Sequence, residues 1–227
     1  MKTTKPTSPE STTTYDFILP EPNIDLSKLT FDADTHTYTY DGRKLDNVTY
    51  IMRFLNQGLE RVDPNVLAQA ADRGTRVHEA TLVYDMEGHI DCDPDIEGYV
   101  RAYAQFLRDY RIKGWELYEK AVTDGKVAGT LDRFGYVNGM TTLLDIKSGQ
   151  FRKPNHYVQL AAYEHLLHEC YGVLPIQHMI LSLKANGKYT VHEPTAHERN
   201  TAAMIWYSCV TLNNHINDFK GEAKNGK

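Results

Sequence analysis

The chain has 227 residues, of which 41% are apolar and 24% charged, and its formal net charge is −5. This is the composition of an ordinary globular domain. It argues against a strongly basic nucleic-acid coat protein, and no run approaches the ~18 apolar residues of a membrane span. The three cysteines, Cys92, Cys170 and Cys209, lie far apart with no C-x-x-C pair. They cannot build a disulfide framework, a zinc knuckle or a four-thiolate cluster, and read as reduced structural thiols.

Residues 1–25 are rich in Thr, Ser and Pro and read as a disordered or draped tail, with a flexible tail over 221–227 and a single domain over 26–220. The first residues lack the apolar middle of a secretory signal, so a cytoplasmic location is expected.

In chain order, Leu29–Leu45 alternates around Asp41-Gly42 and predicts a hairpin. Asp63-Pro64 opens a helix to about Asp72. Gly74 is expected to interrupt it, with a second helix over about Thr75–Met86. Ile96, Tyr99, Val100, Tyr103, Phe106 and Tyr110 form one stripe of an amphipathic helix. Three strands follow, over about 116–123, 127–136 and 140–146, with turns at Asp124-Gly125 and Asn138-Gly139. A helix closed by Gly172 comes next. A hairpin around Asn186-Gly187 and a last helix from about Thr195 complete the chain. The fold class is α+β, a mainly antiparallel or mixed sheet flanked by helices.

The middle strands carry acids where apolar residues belong, Asp132 in one and Asp145 in the next. If Asn138-Gly139 is a two-residue turn, Asp132 falls opposite Asp145. Such pairs have Cβ atoms ~5 Å apart, and like charges there repel unless a cation joins them. Lys147 shares the face of Asp145. The same reasoning at Asp124-Gly125 sets Glu119 opposite Thr130 and diagonal to Asp132. Carboxylates without cysteines suit Mg²⁺ or Mn²⁺. The alternative is a solvated charged face, against which stand the apolar neighbours Leu131, Leu143, Leu144 and Ile146.

The ordered series "RGTRVHEA", "ELYEKAV", "GTLDR", "LLDIKSG" and "YVQLAAYEHLL" resembles the PD-(D/E)XK nuclease superfamily, in particular its RecB-like exonuclease branch in phage and prophage versions. The likeness covers about Leu29–Tyr171. Leu131 stands where the name-giving proline would be. The resemblance implies a restriction-endonuclease-like fold and a Mg²⁺- or Mn²⁺-dependent deoxyribonuclease. In that pattern Asp132, Asp145, the Ile146 carbonyl and His78 hold the metal, and Glu119 assists. Lys147 positions or deprotonates the attacking water, with a pKa expected to fall beside the metal. Gln159 and Tyr163, one turn apart on a helix, stand beside the lysine and the phosphate. Ser148, Arg152, Lys153, Arg73 and Arg76 are candidate contacts to the DNA backbone.

The four-cysteine iron–sulfur cluster of some relatives is absent, as is any G-x-x-x-x-G-K-[ST] loop for ATP. A helicase or recombination partner, if used, is expected to be a separate protein, and a homo-oligomeric ring is compatible with the length. The expected activity is exonucleolytic, on single- or double-stranded DNA ends, in phage or bacterial recombination, repair or processing. The rival readings are a structure-specific endonuclease, a hydrolase of small phosphates, and a non-catalytic nucleic-acid-binding or interaction protein on the same fold.

Overall fold

The computed structural model describes residues 18–33, 35–56 and 62–225, with 218–225 described by backbone alone. The expected N-terminal tail therefore lies outside the described residues up to position 17. Its remainder packs on the domain: Leu19 is half-buried and the Asn23 N–H donates to the Cys170 carbonyl at 2.6 Å.

Among the described residues eight strands form one sheet: β1 (Leu29–Asp32), β2 (Thr37–Tyr40), β3 (Arg43–Asn47), β4 (Trp115–Thr123), β5 (Val127–Val137), β6 (Met140–Lys147), β7 (Gln177–Leu183) and β8 (Tyr189–His192). The helices are α1 (Val48–Ile51), α2 (Pro64–Glu87), α3 (Glu97–Asp109), α4 (Lys153–Tyr171) and α5 (Ala196–Asn225). The fold is α+β with a mixed, mostly antiparallel open sheet. Pairing is parallel at β3/β5 and β6/β7 and antiparallel elsewhere.

Several local expectations change. The Leu29–Leu45 segment makes three strands, β1 to β3, with Asp41 and Gly42 both at positive φ in the second connection. Gly74 does not break the helix. One glycine costs a helix only ~1 kcal/mol, and α2 runs unbroken from its Asp63 cap, through Pro64 in the first turn, to left-handed Gly88. The chain expected as a tail from Gly221 continues α5 as far as Asn225.

The two sheet faces are covered by different helices. Leu144, Ile146, Met179 and Leu181 face α2 and α3, through Val77, Ala80, Val100, Tyr103 and Phe106. Leu131, Phe134, Leu143 and Ile180 face α1, α4 and α5, through Val48, Ile51, Val158, Leu166 and Trp206. Each such fully buried side chain contributes roughly 1.5–3 kcal/mol of transfer free energy. The α3 stripe read from periodicity is the buried face, with Val100, Tyr103 and Phe106 fully enclosed.

The centre of the sheet is forked. One edge of β5 is paired along its length by β4, from Ala128 to Gly135. The other edge is shared: β3 takes Val127 and Ala128 at one end, and β6 takes Arg133 to Val137 at the other. Residues 129–132 lie in the gap between them. Thr130 reaches there to the Tyr38 hydroxyl, 2.7 Å away, and Asp132 reaches to β6.

Candidate metal centre

Asn138 and Gly139 both have positive φ, at 50° and 79°, as a two-residue hairpin turn requires. The turn sets Val137 opposite Met140 and Arg133 opposite Leu144. One step further along the same register lie Asp132 and Asp145, where the ladder ends and the fork opens.

On β4 the register differs from the expectation. The Asp124 carboxylate accepts from the N–H groups of Lys126 and Val127, both at 2.7 Å, which lengthens the turn. Thr123 thereby pairs with Ala128 and Lys120 with Leu131, so Glu119 stands across from Asp132 rather than Thr130. The slip is two residues, so it keeps the expected face. Glu119 also departs from strand geometry, with φ at 37° inside β4.

At this point His78, Glu119 and Asp132 converge, each offering one ligand atom, all within 4.8 Å of one another. His78 Nδ1 lies 3.1 Å from Glu119 Oε1 and 3.6 Å from Asp132 Oδ1. His78 Nε2 lies 3.1 Å from the Ile146 carbonyl. Both ring nitrogens thus face acceptors, as an imidazolium requires. The Ile146 N–H donates to Asp132 Oδ2 at 2.6 Å.

Burial opposes the charge on His78, but Asp132 and Glu119 prevail and hold its pKa up at about 9. Burial pushes the Asp132 carboxyl above the usual range, with Asp145 and Glu119 adding to the rise against His78. Burial would also raise Glu119, but His78 and Arg133 hold it below its ordinary value.

Asp145 is 1% exposed and lies outside that trio. Its Oδ2 is 2.7 Å from Lys147 Nζ, yet neither of its oxygens receives a well-formed hydrogen bond among the described residues. For Lys147, burial disfavours the charged form, but Asp145 and Asp132 outweigh it and its pKa is raised. That is opposite to the expected fall, which supposed a cation in place to offset these acids.

Gln159 Nε2 donates to the Tyr163 hydroxyl at 3.4 Å, and Tyr163 is buried against Gly129. Burial, with Asp132 nearby, pushes the Tyr163 phenol well up. Ser148 is half-buried and Arg152 exposed. Lys153 is ion-paired with Glu198. The Arg76 guanidinium is held by Asp72, Asp95 and Asp93 at 3.0, 2.8 and 3.4 Å, so three carboxylates already balance it. Arg73 is half-buried, with its Nε enclosed and without a hydrogen-bond partner among the described residues.

Sequence reasoning missed Arg133 and Asp85. Arg133 is fully buried and links the site to Asp85 on α2. A signal was present: His78, Thr81 and Asp85 fall at i, i+3 and i+7 and share one helix face.

No protein-family model matches the chain, and no curated protein is significantly similar to it. Among the described residues no helix is long and apolar enough to cross a membrane.

Proposed function

We propose that this chain is a metal-dependent deoxyribonuclease of the PD-(D/E)XK type, with a restriction-endonuclease-like fold, acting as an exonuclease on DNA ends. One observation carries the reading. Asp145 is a buried carboxylate that meets the Lys147 ammonium at 2.7 Å but receives no well-formed hydrogen bond among the described residues, next to a partly buried His–Glu–Asp group. A buried carboxylate held by an ion pair without well-formed hydrogen bonds is costly, and a divalent cation held by Asp132 and Asp145 would lower that cost.

The donor set fits such an ion. It offers carboxylate oxygens from Asp132, Asp145 and Glu119 and the Ile146 carbonyl, and His78, an imidazolium in the metal-free protein, would add one ring nitrogen on releasing its proton to solvent, a mixture suited to Mg²⁺ or Mn²⁺. When bound, the cation would supply polarisation of the scissile phosphate and acidification of a water.

The chain's own groups do the rest. Lys147 holds the attacking water in line with the phosphorus and offsets charge on the phosphate oxygens. Gln159 orients that water, and Tyr163 closes the site beneath the phosphate. Ser148 and Arg152 grip the backbone of the strand, with Arg73 and Lys153 as further contacts. Arg76 is a structural residue in this reading, given its three acidic partners. The biological setting is DNA recombination, repair or processing in a phage-infected or bacterial cytoplasm, alongside a separate helicase or recombination protein.

The test is cleavage of end-labelled single- and double-stranded DNA and of a closed circle, with Mg²⁺ or Mn²⁺, by wild type and Lys147→Ala. Metal-dependent loss of linear substrate, abolished by Lys147→Ala, is expected. Cleavage of the circle would make the enzyme an endonuclease, and no cleavage of any substrate would overturn the nuclease reading.

A further inference from the structure

Arg133 is a charged side chain with 0% exposure, among the largest enclosed side chains of the protein. Its Nε donates to Asp85 Oδ2 at 2.7 Å, and its Nη2 donates to Thr81 Oγ1 at 3.2 Å. Its Nη1 donates both to Glu119 Oε1 at 2.7 Å and to the Asp132 carbonyl at 2.8 Å. Asp85 is anchored in turn. The Tyr103 hydroxyl lies 2.8 and 2.9 Å from its two oxygens, and Trp115 Nε1 donates to that hydroxyl at 2.9 Å. The Tyr103 and Tyr118 rings flank the guanidinium at 5.8 and 5.9 Å.

For stability alone this arrangement is a poor choice. Buried ion pairs are often no better than apolar residues of the same volume. The network does, however, end on two of the three residues of the candidate metal centre, Glu119 by its side chain and Asp132 by its main chain. Glu119 also sits in left-handed backbone, at φ 37°. That conformation costs a non-glycine residue ~1–2 kcal/mol and persists only where the surroundings enforce it. His78 and Arg133 meet the same oxygen, Oε1. Two donors of different direction on one oxygen fix the rotation of the carboxylate.

We propose that Arg133, anchored by Asp85, is a positioning residue for the cation: it holds the strained Glu119 carboxylate in place beside His78 and Asp132. The inference rests on the reading of this group as a divalent-cation site. It requires no contact between Arg133 and the metal or DNA. The planar guanidinium suits the task because it satisfies Asp85 and Glu119 at once, whereas a lysine ammonium reaches one of them at a time.

The experiment is a double-mutant cycle on Mn²⁺ affinity, read by calorimetry and by the paramagnetic resonance of free Mn²⁺, with the metal-free melting temperature of every variant recorded. Arg133→Lys is expected to weaken Mn²⁺ binding about 10-fold, the usual effect of losing a group that orients a ligand. In a Glu119→Gln background the same change is expected to cost nothing further. An equal loss in both backgrounds, or no loss in either, overturns the positioning role and leaves the metal site standing. Failure of the wild type to bind Mn²⁺ or Mg²⁺ overturns the metal site itself, and the inference with it. Should Arg133→Lys not fold, Asp85→Asn replaces it in the same cycle with the same expected non-additivity.

Discussion

Lys147 and Asp145 form a 2.7 Å ion pair one pleat apart on β6, and among the described residues the lysine is the one cation paired with a carboxylate that is 1% exposed. Removing one member of such a pair leaves the other buried and uncompensated. Lys147→Met is therefore expected to destabilise the metal-free protein by about 2 kcal/mol, below the full buried-pair value because the lysine itself is 20% exposed. Urea denaturation in chelator measures this. Added Mn²⁺ is expected to restore part of the loss by binding the folded state. Unchanged stability in chelator would mean that Asp145 is solvated despite its burial.

Gly98, in α3, has no room for a side chain. A Cβ built on it would overlap the Ala185 carbonyl oxygen, on the connection between β7 and β8. Backbone cannot swing aside as a flexible side chain can. Gly98→Ala is expected to cost ~1–3 kcal/mol or more through overpacking, seen as a lower melting temperature. A melting temperature equal to wild type would show that the helix can move off the loop freely.

Gly139 presents the opposite case. Nothing lies within 4 Å of a Cβ built there, but its φ is 79°. Gly139→Ala should cost ~1 kcal/mol by backbone strain alone. The carboxylates lie beyond the far end of this hairpin, so Mn²⁺ affinity should be unaffected as long as the register holds. A fall in affinity larger than the fall in stability would reveal slippage of β5 against β6.

His156 links stability to pH. Burial, aided by Lys147, Arg152 and His192, depresses its pKa from 6.5 to about 3. The unfolded chain therefore takes up a proton near pH 6.5 that the folded protein refuses. Stability is full above that pH and falls as the pH drops from 6.5 toward 3. His178, also depressed by burial, adds to the fall at the upper end of the window. His156→Gln is expected to flatten the stability–pH curve by on the order of 2 kcal/mol between pH 7 and pH 4. Parallel curves for the two proteins would mean that His156 is hydrated when folded.

Local turn chemistry was the most legible part of the sequence. Asn138-Gly139 is short and its side chains do not intrude, so its register could be read directly, bringing Asp132 and Asp145 across from one another. Asp124-Gly125 misled because the Asp124 carboxylate caps two following N–H groups, which a dipeptide pattern does not reveal. The error was an even number of residues, so Glu119 stayed on the site's face but moved beside Asp132. The parallel pairings of β3 with β5 and β6 with β7 join segments far apart in the chain. No periodicity signals them, so the fork was invisible. Arg133 escaped notice because a lone arginine beside a motif acid has no spacing of its own. Its partners come from α2, β4 and the carbonyl of its own neighbour.

The left-handed backbone at Glu119 restricts what that position can become. Valine, isoleucine and threonine, the residues that best suit a strand, are those least able to adopt φ near 37°. Glycine, asparagine and aspartate tolerate it. Drift at this position is therefore channelled toward small or polar replacements. Even in a descendant free to change every other residue of this group, an ordinary apolar strand residue would be barred here unless β4 first changed its course.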